Sequence, residues 1–171
     1  MGAKYGICAM VLLLSSAGAA IGQQSSIKEL LPGAWSFVSA VAENPDGTKT
    51  EPFGAGPKGI IIFTADGHFA LFQSRADVPK IAANDRAKTT PEEALGVVRT
   101  AIAYYGPYSI SETEKTLMVR INGSTFANLI GGPEQKRIIT SLTAEELMKF
   151  TNPRTPAGVT LQTVWERAKA P

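Results

Sequence analysis

His68 is the only histidine among the 171 residues, and it directly follows Asp66-Gly67. Histidine is the commonest general base, so it is the first residue to test for catalysis. A serine triad built on it would need a G-x-S-x-G elbow, and none is present. A histidine metal site would need further His, Asp or Glu ligands at ligand spacing, which the chain does not offer. His68 therefore reads as an exposed hairpin residue. Two carboxylate pairs are equally plain. Glu92-Glu93 suits a helix N-terminus, and Glu145-Glu146 reads as a solvated pair after a turn. The stretch from Gly54 to Gly59 matches G-x-G-x-x-G, but Ile60-Ile61-Ile62-Phe63 follows it and Pro52 and Pro57 flank it. A dinucleotide loop must open a helix, so these glycines read as the approach to a strand. No catalytic residue, metal site or cofactor is expected.

Tyrosine and arginine carry more. On a strand, Tyr104, Tyr108 and Ile110 share one face, while Tyr105 and Ser109 share the other. Arg137 shares a face with Ile139 and Ser141, and Arg120 also falls on a strand with apolar neighbours. Guanidinium forks beside tyrosine hydroxyls, in apolar surroundings, suit a carboxylate or another strongly accepting head group. Two blander arrangements stay open. The tyrosines can be a core pair with locally satisfied hydroxyls, and both arginines can point outward if the inward face is the other one.

Positioning these groups falls to strands. Alternating or apolar runs at 34–42, 59–64, 68–73, 105–111, 116–122, 135–141, 147–151 and 160–167 give eight strands, mostly joined by short turns. Asp66-Gly67 is a two-residue hairpin signal between the second and third. One helix interrupts the series: Thr90 caps it, Pro91 takes the first position and Glu93 completes a capping box. Its apolar stripe runs from Ala94 through Leu95, Val97, Val98 and Ala101 to Ile102, ending near Ala103 and calling for a partner surface on the barrel's end or flank. The polar stretch 75–89 precedes it. The fold expected is mainly β, an eight-stranded antiparallel up-and-down barrel with one intervening helix. Closure must join the first strand to the last, which brings Trp35 and Arg167 together at the closed end in a stabilising cation–π contact.

Composition agrees with one domain: 44% of residues are hydrophobic, 19% charged, with 16 glycines and 11 prolines for turns. Lys4, an apolar block from Ile7 to Leu14 and the small residues 15–20 read as a cleavable signal peptide over 1–22, with the barrel domain over 27–169. Cleavage after Ala19 or Gly22 would export the chain, as a periplasmic or secreted protein with no stable membrane anchor. Without Lys4 the 17 basic residues become 16 against 15 acidic, too even a balance for a nucleic-acid face. The lone Cys8 lies in the leader, leaving the mature chain without a thiol. Asn122-Gly123-Ser124 is a formal glycosylation acceptor and more simply a turn.

Several motifs then recur in order. Gly33-Ala34-Trp35, Gly59-x-Ile61-x-Phe63-Thr64-x-Asp66-Gly67, Tyr104-x-Gly106-x-Tyr108, Ser124-x-Phe126-x-Asn128-x-x-Gly131 with Arg137, and Trp165-Glu166-Arg167 span Leu31 to Arg167. This ordered set resembles the small lipocalin-like domains of bacteria and fungi, distinct from classical lipocalins. The chain departs from them at Val119-Arg120, where a histidine pair is common, and at Ala127-Asn128-Leu129, where Pro-Asn-Trp is common. The resemblance implies a calycin-like barrel fold, and an eight-stranded barrel can hold one small hydrophobic or amphiphilic ligand. Tyr104, Tyr108, Arg120, Asn128 and Arg137 are the groups to orient it. Two alternatives stand beside it: a non-metal isomerase or cyclase using preorganised donors, and a structural or interaction barrel filled by its own side chains. The balance of residue chemistry leans away from an enzyme. The interior decides between them: a cavity of about 300 Å³ or more favours ligand or substrate, and a filled core favours the structural role.

Overall fold

The computed structural model describes residues 1–2, 25–143, 147–153 and 158–169. All but the first two residues of the leader lie outside that set, as do Glu145-Glu146. The described chain opens on a one-turn helix, α1 (Ile27–Leu30), and continues into strands β1 (Gly33–Glu43), β2 (Lys49–Thr50), β3 (Lys58–Phe63) and β4 (His68–Ser74). Helix α2 (Pro91–Thr100) separates these from β5 (Ala101–Ser111), β6 (Thr116–Val119), β7 (Gly123–Ser124), β8 (Gln135–Leu142), β9 (Leu147–Asn152) and β10 (Thr160–Arg167). Eight strands run antiparallel in the order β10-β9-β8-β6-β5-β4-β3-β1, and β10 pairs with β1 to close the barrel. The two-residue β2 and β7 are attachments to β1 and β5.

Period-two alternation builds the wall. Ile61 and Phe63 on β3, Phe69 and Leu71 on β4, and Met148 and Phe150 on β9 all turn inward and are buried. Their neighbours Ile60, Ile62 and Phe72 face out and stay about 40% exposed. On β1 a bulge between Phe37 and Ser39 shifts the inward set from Trp35 and Phe37 to Ala40 and Ala42. Trp35, Trp165, Leu31, Leu117 and Met148 are the largest fully buried side chains. Full burial of a large apolar side chain stabilises by about 1.5–3 kcal/mol, so this column carries much of the fold.

Three departures from the sequence-based expectation bear on the ends of the elements, besides β6, which stops at Val119 and not at 122. Helix α2 stops at Thr100, because Ala101 to Ala103 are drawn into the ladder opposite Ser74, Gln73 and Phe72. Thr64 and His68 close the β3–β4 turn by backbone bonding, which leaves Ala65-Asp66-Gly67 as a three-residue loop rather than two. Finally, α1 was not expected. It is too short to show periodicity, yet Ser26 and Glu29 give it a full capping box.

Candidate functional site: the two ends of the barrel

Strand register defines the ends. Gly33, Phe63, Ser111, Thr116, Leu147 and Arg167 gather at one; Glu43, Lys58, Ser74, Ala101, Gln135, Asn152 and Thr160 gather at the other. At the first end α1 and Leu31 form a plug. Glu112 accepts the backbone N–H groups of Ile27 and Lys28 at 3.0 and 2.9 Å, and Trp35 Nε1 donates to the Leu31 carbonyl at 2.9 Å. Arg167 donates to the Leu30 and Pro32 carbonyls at 2.6 and 2.9 Å while its Cζ lies 3.8 Å from the centre of the Trp35 ring. The glycine two residues before that tryptophan is required twice over. Gly33 has φ +121°, and a Cβ there would come within 2.7 Å of Arg167 Nη1. Trp35 and Arg167 are thus brought together, directly opposite in the β1–β10 register.

The other end, the mouth, is finished differently. Gln73 is 4% exposed and its Nε2 has no partner; the buried Oδ1 of Asn152 has none either. Gln73 continues the inward series Phe69, Leu71, and Asn152 the series Met148, Phe150. Arg137 is 7% exposed, donating to Gln135 Oε1 at 2.6 Å and the Lys136 carbonyl at 3.2 Å. Phe53, from the loop between β2 and β3, packs edge-on against the buried Phe37 at 5.3 Å. Below the mouth the interior is nearly full. The void that Arg137 and Tyr104 line with Phe63, Leu71, Val119 and Phe150 measures about 10 Å³, room for about one water.

The five residues expected to orient a ligand do not converge. Tyr104 and Arg137 share the void, and Tyr104 meets Phe69 edge-on at 5.9 Å. Tyr108 also packs inward, on Phe63 at 5.2 Å, but toward the closed end, where its hydroxyl donates to the Thr64 carbonyl at 2.8 Å. Burial first, and the Asp66 carboxylate second, push its phenol above the usual range. The interior placement expected for Arg120 and Asn128 is corrected. Leu117, Val119 and Ile121 point inward, so alternation turns Arg120 to solvent. There β6 has ended and the backbone crowds β5 closely enough that a Cβ on Gly106 would strike the Arg120 carbonyl. Asn128 lies exposed in a 3-10 turn, Ala127–Leu129, outside the barrel. Gln73, Gln135, Asn152 and Phe53 were missed. For Gln73 and Asn152 the signal was present: each is a polar residue at the inward step of an otherwise apolar series.

Two further features lie outside the barrel. Helix α2, none of whose residues is buried, overhangs a cleft of about 340 Å³ walled by Phe72, Val97, Val98, Ala103 and Phe126. Its polar member, Thr125, is already bonded to the Ala103 backbone. At the β3–β4 turn, Asp66 accepts from Thr64 Oγ1 and lies 3.3 Å from His68 Nδ1. The Thr64 hydroxyl first, and His68 second, hold its carboxyl below the usual range. His68 is two-thirds exposed there, and the cluster reads as a turn clasp.

Known proteins complete the assignment. A search of curated proteins finds no match to the chain. The model of the lipocalin-like domain family matches residues 32–168, from the first residue beyond Leu31 to the one beyond Arg167. That span takes in every barrel strand, and the chain belongs to the lipocalin-like domain family.

Proposed function

We propose that this protein is an exported binder of a small, mostly apolar molecule, which enters the barrel at the mouth. One observation carries the reading: Gln73 Nε2 and Asn152 Oδ1 are buried and unpaired at that end. Buried polar atoms in native proteins nearly always find partners, and an orphaned pair implies a guest, water or ligand, that completes them. The apolar walls supplied by Leu71, Val119 and Phe150 set the guest's general character. The interior holds only about 10 Å³, so binding requires the inward side chains that line it to move apart. The leader reading of 1–22 supports export, to be checked by N-terminal sequencing, which should start at Ala20 or Gln23.

The small void favours a second reading, a solid barrel whose outer wall is the working surface. A neutral fluorescent probe, N-phenyl-1-naphthylamine, separates the two. It should bind wild type and bind Phe53→Ala more tightly, since the truncation frees space beside Phe37. Binding lost on Val98→Asp but unchanged by Phe53→Ala would relocate the site to the cleft under α2. No binding in any variant would leave the solid barrel standing.

A further inference from the structure

Resting on that small-ligand reading, we infer that the guest carries an anionic, carboxylate-class head and that Arg137 is its anchor. Arg137 is nine-tenths buried. Among the described residues, no carboxylate pairs with it. The ion pairs formed are Glu43 with Lys49, Asp66 with His68, Asp77 with Arg75, Asp85 with Lys88 and Glu114 with Lys136. Glu114 is the instructive one, because it serves the residue next to Arg137 on the outward face of β8. A guanidinium stays charged in proteins and cannot shed its proton to escape burial. Burying a charge without a counter-charge is costly, so such a group is retained where something else supplies the opposite sign.

The surroundings narrow the class. Two of the five N–H donors of Arg137 find acceptors, both neutral: the Lys136 carbonyl and Gln135 Oε1. Tyr104 lines the same void, and the unpaired Gln73 Nε2 adds a third donor group at the mouth. The N–H groups left over on Arg137 after those two bonds suit an oxygen-rich head. Asn152 Oδ1 is an acceptor, left for a water or a ligand hydroxyl. The remaining lining, Ile61, Phe63, Phe69, Leu117 and Phe150, is apolar and would have to part for a hydrocarbon tail to enter. A planar guanidinium meets a carboxylate through two parallel hydrogen bonds, and a low-dielectric wall strengthens them. A bound carboxylate would therefore do two things at once, neutralising the arginine and occupying the donors that now lack acceptors.

The test uses the mature wild-type protein and three probes with the same twelve-carbon tail: dodecanoate, dodecanol and dodecylamine. Each is added as a competitor of N-phenyl-1-naphthylamine, below its solubility or micelle limit. Dodecanoate should compete about tenfold to a hundredfold better than dodecanol, the range given by hydrogen bonds to a charged group. Dodecylamine should compete worst. Arg137→Gln should bring acid and alcohol to parity, and Arg137→Lys should keep part of the preference. Should Arg137→Gln fail to fold, the wild-type series still decides. Equal competition by acid and alcohol overturns the anionic head and leaves the small-ligand reading intact. A preference for the amine also overturns it. Failure of all three, with no binding of the neutral probe, overturns both.

Discussion

The closed end and the mouth of this barrel each hold an arginine against an aromatic-rich wall, and they are finished in opposite ways. Arg167 stacks on Trp35 and donates to two backbone carbonyls of the plug, Leu30 and Pro32. Trp35 Nε1 and the first N–H groups of α1 are also bonded, the latter by Glu112. Arg137 is more deeply placed, is hydrogen-bonded among the described residues only to neutral acceptors of its own strand, and shares its end with two unpaired buried atoms. Polar groups that stabilise a fold are satisfied from within it, whereas those reserved for a guest are left short. Arg167 is satisfied within the fold, and Arg137 has no charged partner among the described residues.

The largest expected effect falls at the closed end. Trp35→Ala removes a fully buried ring and should cost about 3–5 kcal/mol by chemical denaturation. Arg167→Ala should follow at about 2 kcal/mol, from a lost cation–π contact and two charged-donor hydrogen bonds. Neither should change the acid-over-alcohol preference of a surviving fold. A shift in that preference on Arg167→Ala would dissolve the contrast between the two ends.

At the mouth the sign should reverse. Arg137→Met replaces a buried charge that has no carboxylate partner among the described residues by an apolar chain of similar length. It should leave stability unchanged or raise it by about 1 kcal/mol, by analogy with buried ionic groups replaced by hydrophobic ones. Its thermal midpoint is the measurement. A marked fall would show that Arg137 is a structural group like Arg167.

The smallest effect concerns the strap beside the mouth. Glu93 accepts the backbone N–H groups of Ala82 and Thr90 at 2.8 and 2.9 Å, tying the 75–89 loop to α2. Those bonds, Ala82 first and Thr90 second, hold its carboxyl below the usual range. A depressed carboxyl stabilises the folded strap above the ordinary glutamate range. That contribution fades as pH falls through the lowered value. Amide exchange at Ala82 and Thr90, corrected for intrinsic acid dependence, should quicken on acidification while the Trp35 indole stays protected. Equal loosening at both places would mean that the strap is not an independent unit.

How much of this the chain itself determines follows from what each signal measures. Alternation is local, so the eight long strands, their antiparallel order and the capped start of α2 could be read directly from residue types. The tyrosine series 104, 108, 110 was separable from 105 and 109 for the same reason. Alternation does not say which face is inside, nor how far a neighbouring ladder will reach. Helix periodicity ran on past Thr100, but pairing with Phe72, Gln73 and Ser74 claimed Ala101 to Ala103. Arg120 and Arg137 looked equivalent in sequence; the register Leu117↔Arg137 puts the second inside, and the step from Val119 puts the first outside. The plug at α1, the Phe53–Phe37 contact and the residual void are sums over side chains distant in sequence. No local pattern encodes such a sum. The sequence by itself determined a closed barrel, and only its three-dimensional packing decided that the barrel is nearly full, with one arginine inside that has no carboxylate partner among the described residues.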